Sequence, residues 1–154
     1  MLGDEKAVLG AQVTAVCSAG NFQLVRSLGA DELIDYKVTA PLDLEAQYDI
    51  IFDCVASLSY GQAKRRLTAA GVYITTLPRP EIFLAKFLSR FTSKKAEFIV
   101  VMADGPDMET LRNMIEAGQV KSIIDSEYPL DEIAAAHERS ETGRVRGKIV
   151  VKIK

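Results

Sequence analysis

The stretch LGAQVTAVCSAGN, Leu9 to Asn21, decides the fold. Its leucine-glycine pair reads as the end of a helix, QVTAVC as an apolar strand, and Ser18 to Asn21 as a small polar turn that opens the next helix. That is the pattern of the second strand of an α/β nucleotide-binding unit, whose first strand carries a glycine loop. A strand, loop and helix take about thirty residues, whereas eight precede Leu9. The expectation is a sheet that begins at its second strand.

Bulk composition sets the class. The chain has 154 residues, 48% hydrophobic and 26% charged, the proportions of one globular domain. A formal net charge of −2 with no long basic block gives no electrostatic case for nucleic acid. Cys17 and Cys54 are not in a CxxC pair, and with a single histidine they cannot easily build a zinc site. No run approaches the length of a membrane span, and no targeting segment is visible, so the expectation is a cytoplasmic protein that binds no metal, membrane or nucleic acid.

Working outward, strands are expected at Gln12–Cys17, Tyr48–Val55, Gly71–Leu77, Glu97–Met102 and Lys148–Ile153, with Leu33–Tyr36 as a short extra one. Several are nearly continuous apolar runs, as in parallel sheets covered on both faces. Helical spacing marks Asn21–Leu28, Ser59–Ala69, Asp107–Ala117 and Leu130–Ser140, the last capped by Asp131. Pro80–Lys95 is amphipathic, with Phe83, Phe87 and Phe91 on one face. The alternation argues for an α/β sheet with right-handed crossovers. Composition shifts after Asp104-Gly105-Pro106, where a subdomain boundary is expected.

None of the ten glycines are two residues apart, so GxG does not occur, and neither does GxxxxGK[ST]. Backbone amides in such glycine turns are what approach a pyrophosphate closely. "LGAQVTAVCSAGNFQLVRSLGADELIDY", "YDIIFDCVA", "GVYITT" and "GQVKSIIDSEYPLDEIAAAHERSETGRVRGKIVVKI" together resemble the medium-chain dehydrogenase/reductase superfamily, in its zinc-free quinone oxidoreductase-like branch. The most specific pieces are RSLGADELIDY and YPLDEIAAAHERSETGRVRGKIVV. The resemblance implies a partial Rossmann domain, a doubly wound parallel sheet lacking its first strand, over residues 10–103. Residues 104–154 then return to a GroES-like catalytic domain. In the order 3-2-1-4-5-6 the missing strand is central. The gap closes by pairing QVTAVC with YDIIFDCV, a partner chain fills it, or the chain belongs to a longer or cleaved protein.

The resemblance also implies site residues. Ser18 and Asn21 fall where the adenosine ribose is recognised. With a hydroxyl and no acid there, NADPH is favoured over NADH, although Gly20 and Asn21 supply no basic side chain and Ser18 reads equally as a helix cap. Tyr36 falls near the adenine pocket, or is a half-buried aromatic. Asp53, Cys54 and Val55 end a strand at the sheet edge where ligands bind. Thr75, Thr76 and Leu77 fall at the nicotinamide carboxamide, and Lys148 at the pyrophosphate. His137 reads as a structural helix residue, and no catalytic or metal-ligating residue is assigned. The implied activity is hydride transfer from NADPH to a quinone or enone in a homo-oligomer. The chain by itself is expected to be inactive, because substrate-contacting groups fall in the other half. The alternative is a non-enzymatic oligomeric or partner-binding module derived from such a reductase. A methyltransferase reading lacks its glycine-rich loop and leaves the RGKIVV tail unexplained.

Overall fold

The computed structural model describes residues 10–100, 102 and 104–153. The helix end expected at Leu9 lies outside them, as does Val101 of the expected strand Glu97–Met102. Three parallel groups of strands are formed. The chain divides into two compact units, one spanning Val13–Gly105 and the other containing Pro106–Ile153.

In the larger unit, β1 (Thr14–Cys17) pairs in parallel with β2 (Glu32–Asp35), Cys17 opposite Asp35. A 3-10 turn at Ala19–Asn21 and helix α1 (Phe22–Ser27) make the crossover. Gly29, at φ +94°, takes the left-handed conformation that lets the chain leave α1 toward β2. β3 (Tyr48–Asp53), β4 (Leu67–Thr75) and β5 (Lys95–Phe98) form a second parallel sheet in the order β3-β4-β5. Their crossovers are α2 (Tyr60–Ala63) with a 3-10 turn at Lys64–Arg66, and α3 (Pro80–Ser89). Ala63, Leu67, Tyr73, Ile82 and Ala96 make the core of this sheet.

The expected helix Ser59–Ala69 is much shorter than its sequence pattern. Ser59 and Gln62 cap its start reciprocally, but regular α-helix ends at Ala63 and β4 begins at Leu67. Packing overrides propensity here. Leu67 is completely buried opposite Tyr48, and the Lys94 ammonium takes the Lys64 and Leu67 carbonyls at 3.0 and 2.7 Å. Gly71 is therefore a mid-strand residue, not a helix stop: a Cβ there would stand 3.0 Å from the Tyr48 carbonyl oxygen and 2.9 Å from Leu67 Cβ. β5 is also displaced from the expected Glu97–Met102. It starts at Lys95 because Val72–Thr75 of β4 pairs with Lys95–Phe98, and Ile99 and Val100 stay exposed beyond the ladder.

β1 and β3 do not pair with each other. Direct closure of the central gap, one of the three expected outcomes, does not occur among the described residues. Among the described residues each of these strands has a partner on one side only, and Val16 and Ile50 within them are 48% and 62% exposed. Interior strands of parallel sheets are ordinarily covered.

In the smaller unit, α4 (Gly105–Glu116) is followed by β6 (Ile124–Pro129), α5 (Ile133–Glu141) and β7 (Lys148–Lys152), with β6 and β7 parallel. Asp131 does not cap α5. It lies within a 3-10 turn, Leu130–Glu132, that precedes the helix. Asp125 ties the unit together, accepting two hydrogen bonds from the Arg139 guanidinium at 2.8 and 2.9 Å and one from the Arg146 amide at 3.0 Å. Gly147 sits at φ +116°, where a Cβ would fall 2.2 Å from the Ile123 carbonyl oxygen.

Two substitutions test these packing arguments. Leu67→Ala empties a fully buried site and is expected to cost about 2–5 kcal/mol in urea unfolding. Gly147→Ala combines a forbidden φ with a backbone collision. It is expected to cost about 2 kcal/mol or more and to loosen β6 and β7, read by amide exchange, while β3–β5 keep their protection.

Candidate functional site

Strands of a parallel sheet deliver the residues at their C-terminal ends to one edge, and that edge is where open α/β sheets bind ligands. At the end of β3 the carboxylate of Asp53 is buried and folds the following loop around itself. Its Oδ1 accepts from the amides of Val55 and Ser57 at 3.2 and 3.1 Å, and its Oδ2 from Leu58 at 2.9 Å. The Tyr73 hydroxyl, from near the C-terminal end of β4, lies 2.8 Å from the Leu58 carbonyl oxygen and 3.2 Å from Asp53 Oδ2. Burial pushes the Asp53 carboxyl up, but these donors outweigh it and hold the group below its ordinary range. Burial and the Asp53 charge push Tyr73 up to about 12.

The loop so built puts Ala56, which is buried, at φ +50°, unusual for a residue with a side chain. It turns Val55 outward, 69% exposed. Asp53 lies opposite Thr75 in the ladder, so this turn adjoins the end of β4. Thr76 donates from its amide to the Asp53 carbonyl (3.3 Å) and from its hydroxyl to the Cys54 carbonyl (3.0 Å). Thr75 is buried, with its hydroxyl oxygen accepting from the Leu77 amide at 3.3 Å, and Leu77 is exposed. The structure thus brings Asp53, Val55, Thr75, Thr76 and Leu77 together, but in two roles. Asp53 and Thr75 are spent on the backbone, while Val55, Thr76 and Leu77 form the accessible rim. Asp53 is therefore a builder of the edge, with its carboxylate turned inward.

A second cluster lies at the ends of β1 and β2. Asp35 Oδ2 accepts from the Ala19 amide at 3.3 Å and Oδ1 from Lys37 at 2.9 Å, tying the Ser18–Asn21 turn to β2. Ser18 precedes the 3-10 turn without a side-chain cap, and its hydroxyl accepts from Asn21 Nδ2 at 3.4 Å. Asn21 Oδ1 is buried with no hydrogen-bond partner, an open acceptor in this turn. Tyr36 follows β2 and is exposed. Burial and the Asp35 charge both raise the Cys17 thiol pKa, so this thiol is not an activated nucleophile. Lys148 and His137 are both exposed and lie in the smaller unit, on β7 and α5.

Tyr73, Ala56 and Asp35 were missed by sequence reasoning. An aspartate ending a strand, with serine four positions later, carries the signal of an Asx-type turn, but nothing in the sequence says that Tyr73 reaches it from β4. The residues present fit the two ends of a nicotinamide nucleotide in part: polar turns stand at both strand ends, while the glycine cradle for a pyrophosphate is not in this sequence. Among the described residues no three His, Cys, Asp or Glu side chains converge as metal ligands. None of the helices described is long and apolar enough to cross a membrane.

The Asp53–Tyr73 pair gives stability a two-sided pH dependence. The lowered Asp53 pKa contributes stability that is whole above the unfolded carboxylate value and lost as pH falls below about 4. The raised Tyr73 pKa contributes stability that is whole below about pH 10 and lost as pH climbs toward about 12. Tyr73→Phe is expected to cost about 1–3 kcal/mol at pH 7, with the deficit narrowing above pH about 10 because phenylalanine has no proton to lose. Urea titrations at pH 7 and 10.5 measure both.

A family model described as zinc-binding dehydrogenase matches residues 28–151. Among curated relatives, a chloroplastic quinone-oxidoreductase, QR1, of Triphysaria versicolor is 34% identical over 145 residues, covering 90% of this chain and 44% of that protein. The mitochondrial NAD(P)H oxidoreductase RTN4IP1 of Bos taurus is 30% identical over 166 residues, covering 93% of this chain and 42% of that protein. The solved quinone oxidoreductase of Coxiella burnetii superposes with a TM-score of 0.82 at 22% identity, over 98% of this chain and 48% of that one. The chain thus spans less than half the length of these relatives. The cytoplasmic expectation is overturned: relatives on both the plant and the animal side are named as chloroplastic or mitochondrial. An organelle address is read from a leader, so the composition of a folded domain carries no trace of it. With most of its length matched, this chain belongs to the zinc-binding dehydrogenase family, in the quinone oxidoreductase-like branch of the medium-chain dehydrogenase/reductase superfamily.

Proposed function

We propose that this chain is the cofactor-domain portion of an organellar NADPH-dependent oxidoreductase that delivers hydride to a quinone or enone acceptor. The observation that carries the reading is the pairing of Asp53 with Thr75. It sets the exposed Val55 turn beside Thr76 and Leu77 at the C-terminal edge of a parallel sheet. In this reading the nicotinamide nucleotide supplies the hydride, and the protein positions it and excludes water. Val55 and Leu77 give the ring an apolar rest, and backbone groups around Thr76 and Leu77 meet its carboxamide. Ser18 and Asn21 meet the adenosine ribose, with Tyr36 beside the adenine. The absence of an acidic side chain from Ser18 to Asn21 favours a 2′-phosphate over a free hydroxyl. Residues 104–154 form the return segment of a catalytic domain, and the polarising groups for the acceptor belong to the other half. The exposed Phe83 and Phe87 of α3, with Phe91 just beyond its end, support self-association into an oligomer.

Titration of the whole chain with NADPH and NADH, read by nicotinamide fluorescence, tests this. Saturable but weak binding that prefers NADPH is expected, with no NADPH oxidation when a benzoquinone is added. Val55→Asp puts a charge on the exposed turn and is expected to weaken binding about tenfold or more, equivalent to about 1.4 kcal/mol. Absence of saturable binding, or a Val55→Asp variant that binds like the parent, overturns the assignment.

A further inference from the structure

We propose that Tyr73 is a positioning residue for the nicotinamide end of the cofactor, its hydroxyl closing the loop from Asp53 to Leu58 so that Val55 is held in one place on the sheet edge. The side chain is buried, so it acts through the loop. This role rests on the cofactor-domain reading, which makes Val55 a rest for the nicotinamide ring.

A single hydroxyl meets both ends of the loop. It lies 3.2 Å from Asp53 Oδ2, at the first residue, and 2.8 Å from the carbonyl oxygen of Leu58, at the last. The ring that carries it has little room to move. It is 2% exposed, belongs to the core with Leu67, Ile82 and Ala96, and its centroid stands 6.3 Å from that of Tyr60. Tyr60 is itself anchored, its hydroxyl donating to the Lys94 carbonyl at 2.8 Å. Thr76 fixes the start of the same loop through the Asp53 and Cys54 carbonyls. Between these ties only Cys54, Val55 and Ser57 are exposed, and Val55 is the branched apolar side chain among them.

The core does not require this hydroxyl, because a phenylalanine ring fills the same space beside Leu67 and Ile82. Burying a hydroxyl and a carboxylate is unfavourable unless each is matched by partners. Ala56 adds a second cost, a φ of +50° that residues with a side chain seldom take. A buried carboxylate, a buried hydroxyl and a left-handed alanine thus meet at one loop, and what they secure is its path. Backbone strain of this kind collects where a ligand needs a fixed geometry, and a loop already in place spares binding the entropy of ordering it. The adenosine end, assigned to Ser18 and Asn21, is tied separately, by Asp35 through the Ala19 amide. The two ends of the cofactor therefore depend on different side chains.

The whole chain is titrated by calorimetry with NADPH and with 2′-phospho-ADP-ribose, which keeps the adenosine end and lacks the nicotinamide. Tyr73→Phe is expected to weaken NADPH binding at least about fivefold and to leave the fragment within about twofold of the parent. A residue that only supports the fold moves both ligands alike. Ala56→Gly is the second variant. Glycine takes φ +50° freely, so the fold is kept while the loop is loosened, and the same selective loss is expected at about threefold. It decides the question by itself if Tyr73→Phe does not fold. Equal weakening of both ligands, or unchanged NADPH affinity, in either folded variant overturns the proposal. A parent chain without saturable NADPH binding refutes the cofactor reading and the positioning role with it. The parent titration alone shows that, so the two failures are distinguishable.

Discussion

The buried carboxylate of Asp53 is the interaction on which the C-terminal edge of the larger unit depends. It accepts from the backbone amides of Val55, Ser57 and Leu58 and lies within reach of the Tyr73 hydroxyl, so one side chain sets the path of the chain from Val55 to Leu58. Burying a carboxylate is costly unless its oxygens are matched by donors, and here the loop itself supplies them. Tyr73 closes the arrangement from β4, and the same residue belongs to the apolar core with Leu67 and Ile82. Core packing and site geometry are therefore joined through one aromatic side chain. Ala56, held at positive φ, is the local strain that this network sustains.

The same unit is unfinished in one place. β1 with β2, and β3 with β4 and β5, each satisfy their pairing inward and leave an edge outward. Apolar side chains that a complete parallel sheet covers stand in solvent at Val16 and Ile50. The chain corresponds to less than half of the relatives it matches, and among the described residues no strand lies between β1 and β3. The two polar turns at Ser18–Asn21 and Cys54–Ala56 flank that position. Whatever binds at this edge does so between parts built by side chains that already have their partners.

Much of this was legible from residue order. The β-α alternation, the apolar runs of parallel strands, the absence of GxG and the closing RGKIVV run point to a partial doubly wound sheet and its family, and the comparisons bear that out. Element ends were less legible. Lys64–Arg66 reads as the continuation of a helix, but the burial of Leu67 and the reach of Lys94 to two carbonyls turn the chain into β4 instead. β5 begins early because its bounds are set by the β4 register, a nonlocal fact.

The candidate site divides along the same line. Sequence alone determined which residues lie near the C-terminal ends of β3 and β4, because alternation and turn chemistry are local and strand C-termini share one edge in a parallel sheet. It did not determine which of them face a ligand. Asp53 and Thr75 look as available as Val55 and Leu77 when read along the chain. Only the tertiary structure turns the first pair inward, because Tyr73 and the amides of the Val55–Leu58 loop claim the Asp53 carboxylate and the Leu77 amide claims Thr75. Hydrogen-bond partners brought together from separate elements are a property of packing, and no spacing in the sequence encodes them.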